Sequence, residues 1–168
     1  MKRGVLLFIV LFCLVVPLAT ADEGPKIITP YIGGSEYYAT TDQEVIIRAG
    51  WGACNRGLAN AFTKTASVSM EIEKDGQPFM VVEPPNRELW GPVTQSDYVK
   101  ESCVVHSDGL WTTEWLYSLG MLEAGEYDLH FLWVTDHKIP DGADNDGDGK
   151  IDVGIYELER EITIFVEE

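Results

Sequence analysis

Between Asp141 and Asp152 the chain reads Asp-Gly-Ala-Asp-Asn-Asp-Gly-Asp-Gly-Lys-Ile-Asp. Asp144, Asp146 and Asp148 alternate with Asn145 and Gly147, and Asp152 follows four residues later. Alternate positions on a tightly curled backbone direct their carboxylates to one point, where like charges repel unless a cation stands among them. An all-oxygen donor set suits a hard divalent ion, and calcium takes 6–8 oxygens at about 2.3–2.6 Å. The pattern therefore predicts Ca2+ held by Asp144, Asp146, Asp148 and Asp152, with Lys150 offering its main-chain carbonyl. The bland alternative is a solvated acidic turn, because Asp, Asn and Gly are also the favoured turn residues. Four carboxylates so close together weigh against it.

On the EF-hand scheme Asp144, Asp146 and Asp148 take positions 1, 3 and 5, Gly149 the sharp turn at 6, Lys150 position 7 and Asp152 position 9. The run resembles the calcium loops of dockerin and thrombospondin type 3 proteins, and bacterial repeats reading Asp-Asn-Asp-Gly-Asp-Gly, over about a dozen residues. Those families bind calcium through these carboxylates, and the resemblance implies that role for Asp144, Asp146, Asp148 and Asp152. Two departures stand out. Position 12, where a bidentate glutamate belongs, is Ile155, and Glu157 lies two residues beyond it. Pro140 and Gly142 forbid an entering helix, so no helix–loop–helix sensor is expected. Either Glu157 reaches in through a wider loop, or Asp141 or water completes the shell. Without the bidentate ligand the expected affinity falls in the extracellular range, about 10⁻⁴ to 10⁻³ M.

Other constellations carry less. His106-Ser107-Asp108 holds the residue types of a hydrolase triad, but consecutive residues cannot converge in that geometry, so a polar turn is expected. His130 and His137, with Asp136 between, could approach one another as a zinc pair. No nucleophile elbow, phosphate-cradling glycine loop or His-Glu-x-x-His motif is present. Nothing marks a cleft for a glycosidase-type carboxylate pair. In strand conformation Trp111, Thr113, Trp115 and Tyr117 share one face. Exposed, the rings Trp111, Trp115 and Tyr117 would make a sugar-stacking row resembling that of β-sandwich carbohydrate-binding modules. Buried, they are core. The more polar opposite face (Thr112, Glu114, Leu116, Ser118) favours the core.

The ends and the charge narrow the setting. Met1-Lys2-Arg3, the apolar run Val5–Leu18 and Ala19-Thr20-Ala21 form a secretory leader, placing a signal peptide at 1–21 and a single domain at 22–168. The apolar run is short for a spanning helix. An uncleaved anchor is the alternative, and no second apolar segment follows. Localisation is expected to be extracellular or at the cell surface. Net charge is −16, and loss of Lys2 and Arg3 makes the mature chain more negative still. A phosphate backbone would be repelled, which excludes nucleic acid and leaves an extracellular protein or glycan as partner. Cys54 and Cys103 survive processing, and in an oxidising compartment an even pair predicts a disulfide stabilising by roughly 4 kcal/mol on the chain-entropy model. Two separate buried thiols are the alternative.

The elements that must position these residues are short and β-type. Strands are expected at Lys26–Tyr31, Glu44–Ala49 and Ser67–Lys74, the last turning at Asp75-Gly76 into Pro78–Val82. Tyr127–Val134 and Glu161–Val166 alternate most clearly, and one short helix is allowed at Gly57–Ala66. Leu122–Tyr127 resembles the corner of immunoglobulin-like domains, where a tyrosine pins the turn. The expected fold is an all-β, antiparallel, immunoglobulin-like β-sandwich with a long calcium-binding loop between its last two strands, from Thr135 to Arg160. Its expected role is a non-enzymatic binding or structural module with a structural calcium. A calcium-dependent carbohydrate-binding module is the alternative, and a small secreted hydrolase the distant one.

Overall fold

A computed structural model describes residues 24–98, 100–104 and 109–168. The expected leader and the His106-Ser107-Asp108 turn lie outside the described residues. Among the described residues eleven strands and one α-helix follow in order: β1 (Lys26–Ile28), β2 (Glu36–Thr40), β3 (Glu44–Ala53), α1 (Arg56–Thr65), β4 (Ala66–Lys74), β5 (Gln77–Val82), β6 (Thr94–Gln95), β7 (Trp111–Met121), β8 (Gly125–Thr135), β9 (Ile139–Pro140), β10 (Val153–Gly154) and β11 (Glu157–Glu167). Two sheets form the sandwich, one ordered β1-β3-β7-β6 and the other β2-β11-β8-β4-β5. The pairing is mixed rather than wholly antiparallel, because β1 runs parallel to β3 and β2 parallel to β11. Both exceptions come from one N-terminal stretch that crosses from the first sheet to the second, so each of its strands lies on an edge.

Alternation decides which face each strand buries. Val45, Ile47 and Ala49 of β3 point inward, as do Val68, Met70 and Ile72 of β4. Tyr127, Leu129, Phe131 and Trp133 of β8 and Ile162, Ile164 and Val166 of β11 close the core from the second sheet. Tyr127, 1% exposed, donates its hydroxyl to the Glu123 carbonyl at 3.0 Å, pinning the turn into β8. Where β4 runs past the end of β5, Asn86 replaces a neighbouring strand. Its Oδ1 accepts from Val68 N at 3.1 Å and its Nδ2 donates to Val68 O at 2.7 Å.

The helix α1 starts at an Asn55 cap whose Oδ1 accepts from Leu58 N at 3.0 Å. Its buried Phe62 stacks on Trp51 of β3 at 4.5 Å and meets Trp90 and Trp133 edge-on. Tyr156, just before β11, meets Trp51 edge-on at 4.5 Å. This aromatic knot joins helix, both sheets and the segment leaving the acidic loop. Gly52 beside it leaves room for Leu110, whose Cδ2 would stand 2.6 Å from a β-carbon there and would have to shift.

Candidate metal centre

The connection between β8 and β11 spans 136–156, shorter than expected because β11 begins at Glu157 and pairs back along β8 to Val134. A two-rung ladder closes its neck, with Pro140 opposite Val153 and Ile139 opposite Gly154. Asp152 N donates to Ala143 O at 2.8 Å and extends that closure. What protrudes is the tip around residues 144–151.

Within the tip the carboxylates organise the backbone. Asp144 Oδ1 accepts from Gly147 N at 2.7 Å and Asp148 N at 3.0 Å, while Oδ2 accepts from Gly149 N at 2.8 Å. Asp146 Oδ1 accepts from Asp148 N at 3.1 Å, and Asp148 Oδ1 from Lys150 N at 2.8 Å. Gly147 and Gly149 take φ of +81° and +82°, the left-handed region that lets the chain curl this tightly. One oxygen from each of Asp144, Asp146 and Asp148 falls within 4.8 Å of the others. Two ligands of one calcium, each about 2.4 Å away, can be no more than about 4.8 Å apart. The three carboxylates could therefore hold a metal ion, and their all-oxygen donor set suits a hard cation. Hydrogen bonding from Gly149 N above all, helped by Gly147 and Asp148, holds the Asp144 carboxyl below the usual carboxylate range. Asp144 is thereby kept anionic.

The remaining expected ligands are placed differently. Asp152 Oδ2 accepts from Asn145 N at 2.7 Å and Asn145 Nδ2 at 2.8 Å, tying the two sides of the tip together, and it is not in the convergent group. Glu157 begins β11, exposed and in register with Val134, so its backbone is committed to the sheet rather than to a wider loop. Asp141 is 4% exposed, with Oδ1 accepting from Ala143 N at 2.9 Å and Oδ2 facing Lys100 Nζ at 3.4 Å. It anchors the loop's base. The Lys150 ammonium pairs with Asp148 Oδ2 at 3.1 Å, putting a positive charge beside a carboxylate of the group.

Two further constellations are not assembled into sites among the described residues. Trp115 is wholly buried and stacks on Tyr117 at 5.6 Å, while Trp111 and Tyr117 are only partly exposed. The inward side of β7 is where the sandwich needs bulk, and with Trp115 in the core the three rings do not form one exposed row. His130 Nε2 lies 2.9 Å from Glu159 Oε1, and His137 pairs with Asp136. The two histidines are thus held by different carboxylates, and among the described residues they join no metal-holding group.

Sequence reasoning missed the supports: Lys100, Ser102, Val104, Asn145 and Tyr156. Asp144 N donates to Ser102 O at 2.8 Å, Val104 N to Gly142 O at 3.1 Å, and Cys54 N to Asp141 O at 2.8 Å. Cys54 and Cys103 are disulfide-bonded. Burial, followed by the charges of Asp141 and Asp152, pushes the Tyr156 phenol up to about 12. Only Asn145, inside the acidic run, carried a signal in sequence; Tyr156 closes the same connection, and Lys100, Ser102 and Val104 reach the loop from distant chain. No protein-family model, curated protein or solved structure matches this chain.

Proposed function

We propose that this chain is a secreted or cell-surface, non-enzymatic, immunoglobulin-like β-sandwich module whose long connecting loop is ordered by a structural calcium ion. The observation that carries the reading is the convergence of Asp144, Asp146 and Asp148 oxygens within 4.8 Å on a glycine-curled tip. Asp144, Asp146 and Asp148 would hold the ion, which supplies the positive charge that lets three carboxylates share one small volume. Two parts of the fold support the module: the sheet orders β1-β3-β7-β6 and β2-β11-β8-β4-β5, and the tyrosine-pinned corner at Tyr127. The Cys54–Cys103 bridge and the net charge of −16 suit an oxidising, ion-rich exterior. The partner is an extracellular protein or glycan.

The test is a melting scan of the exported protein with millimolar calcium and with excess chelator, alongside atomic analysis for retained metal. Calcium should raise the melting temperature, and Asp146→Asn with Asp148→Asn should remove both the rise and the retained ion. Identical melting in calcium and chelator, with no metal retained, sinks the proposal.

A further inference from the structure

The disulfide and the acidic loop are in direct contact. Cys54, fully buried just after β3, donates its N–H to the Asp141 carbonyl at 2.8 Å. Cys103 faces Ala143 in an antiparallel bridge, flanked by the bonds from Asp144 N to Ser102 O and from Val104 N to Gly142 O. Lys100, from the same stretch as Cys103, pairs with buried Asp141. Residues 141–144, which deliver Asp144 to the cluster, are therefore gripped on both sides by the two half-cystines and their neighbours.

Resting on the reading of the tip as a calcium site, we infer that the Cys54–Cys103 bridge controls its affinity, so that reduction releases the ion. Residues 100–104 join no strand of either sheet, and the bridge ties them covalently to the end of β3. Once it is cut, their hold on 141–144 rests on the Asp144–Ser102 and Val104–Gly142 hydrogen bonds and the Lys100–Asp141 ion pair alone. Asp144 N then loses a fixed partner, and the three carboxylates lose their common origin. The exchange balances with a dithiol as reductant. Its thiolate attacks one protein sulfur, the S–S bond breaks, and the released cysteine thiolate takes a proton. The second thiol then closes the reagent's own disulfide and frees the other cysteine. Cys103 is the more exposed residue of the two, whereas Cys54 is fully buried.

Coupling of this kind is reciprocal. If the oxidised protein binds calcium tenfold more tightly than the reduced, saturating calcium makes the bridge tenfold harder to reduce. That corresponds to a shift of about 30 mV for a two-electron couple. The experiment measures calcium affinity by calorimetry on the full exported chain, oxidised and after dithiol reduction, and titrates the disulfide equilibrium with and without calcium. At least tenfold weaker binding after reduction, matched by an equal calcium effect on the redox equilibrium, supports the inference. Equal affinities in the two redox states overturn it while leaving the calcium site intact. No binding by the oxidised protein overturns the calcium site and the inference together. Should the reduced protein unfold, Val104→Pro carries the test: the bridge stays, the bond to Gly142 O is lost, and affinity should still fall severalfold. Unchanged affinity in that variant, judged against a native melting profile, also overturns it.

Discussion

Lys150 holds its ammonium 3.1 Å from Asp148 Oδ2, standing where a cation's field would act. Exposed pairs of this kind are worth about 0.2–1 kcal/mol. A divalent ion arriving beside Asp148 must therefore displace or tolerate that charge. Lys150→Ala should tighten calcium binding by roughly two- to fivefold, read by calorimetry at low salt, with the gain shrinking as salt rises. Weaker binding in the variant would mean that the lysine stem, not its charge, matters to the tip. The same residue scale explains why the two glycines cannot be exchanged freely. Open space surrounds the β-carbon position at Gly147 and Gly149, so the objection to a side chain is the left-handed backbone rather than crowding.

Elements, more than single ligands, decide where the tip sits. Asn86 extends the sheet beyond β5 by pairing with both backbone groups of buried Val68. Asn86→Ala would leave that N–H and C=O unpaired in the interior, and a loss of about 1–3 kcal/mol per group is expected. Urea unfolding should show a lower midpoint with an unchanged slope, and a loss of stability under about 0.5 kcal/mol would show that water replaces the amide. The segment between β10 and β11 has its own signature in alkali. With Tyr156 raised to about 12 in the fold and near 10 when unfolded, the folded state keeps its proton longer. The contribution of the neutral phenol is whole below pH 10 and is lost as pH rises towards about 12. Tyr31 and Tyr37 are also raised, chiefly by burial, so Tyr156→Phe should flatten part of this alkaline decline and leave the rest. Parallel stability curves for the variant and the parent above pH 10 would contradict the placement of Tyr156.

At the scale of the molecule, charge sets the terms. The outer face of the second sheet carries Glu71, Glu73, Asp128, Glu159 and Glu161, with Glu73 directly opposite Asp128 and Glu71 and Glu161 on either side of His130. Such neighbours repel, and a net charge of −16 spreads the repulsion over the whole fold. Monovalent salt should therefore raise the melting temperature from its low-salt value. Calcium at matched ionic strength should raise it further, by about 2–4 °C for each 1 kcal/mol of binding. Scans with sodium chloride and calcium chloride at equal ionic strength separate screening from site occupancy. Coincident curves would reduce the cation effect to screening alone.

Alternating hydrophobic residues were enough to locate the strands that matter most: Tyr127, Leu129, Phe131 and Trp133 in β8, and Ile162, Ile164 and Val166 in β11. A period of two admits only one inward face. The Asp144-x-Asp146-x-Asp148-Gly149 spacing likewise made three convergent carboxylates readable, because their geometry is local to a single turn. The cysteine count suggested a bridge, and the chain folds so that Cys54 and Cys103 meet across 49 positions. Other features depended on contacts between distant parts of the chain. The reach of β2 to pair in parallel with β11, the capture of Asp141 by Lys100 and the seating of Asp144 on Ser102 are of this kind. Each joins residues whose separation in sequence carries no periodic trace, so only the packed sheets could bring them together.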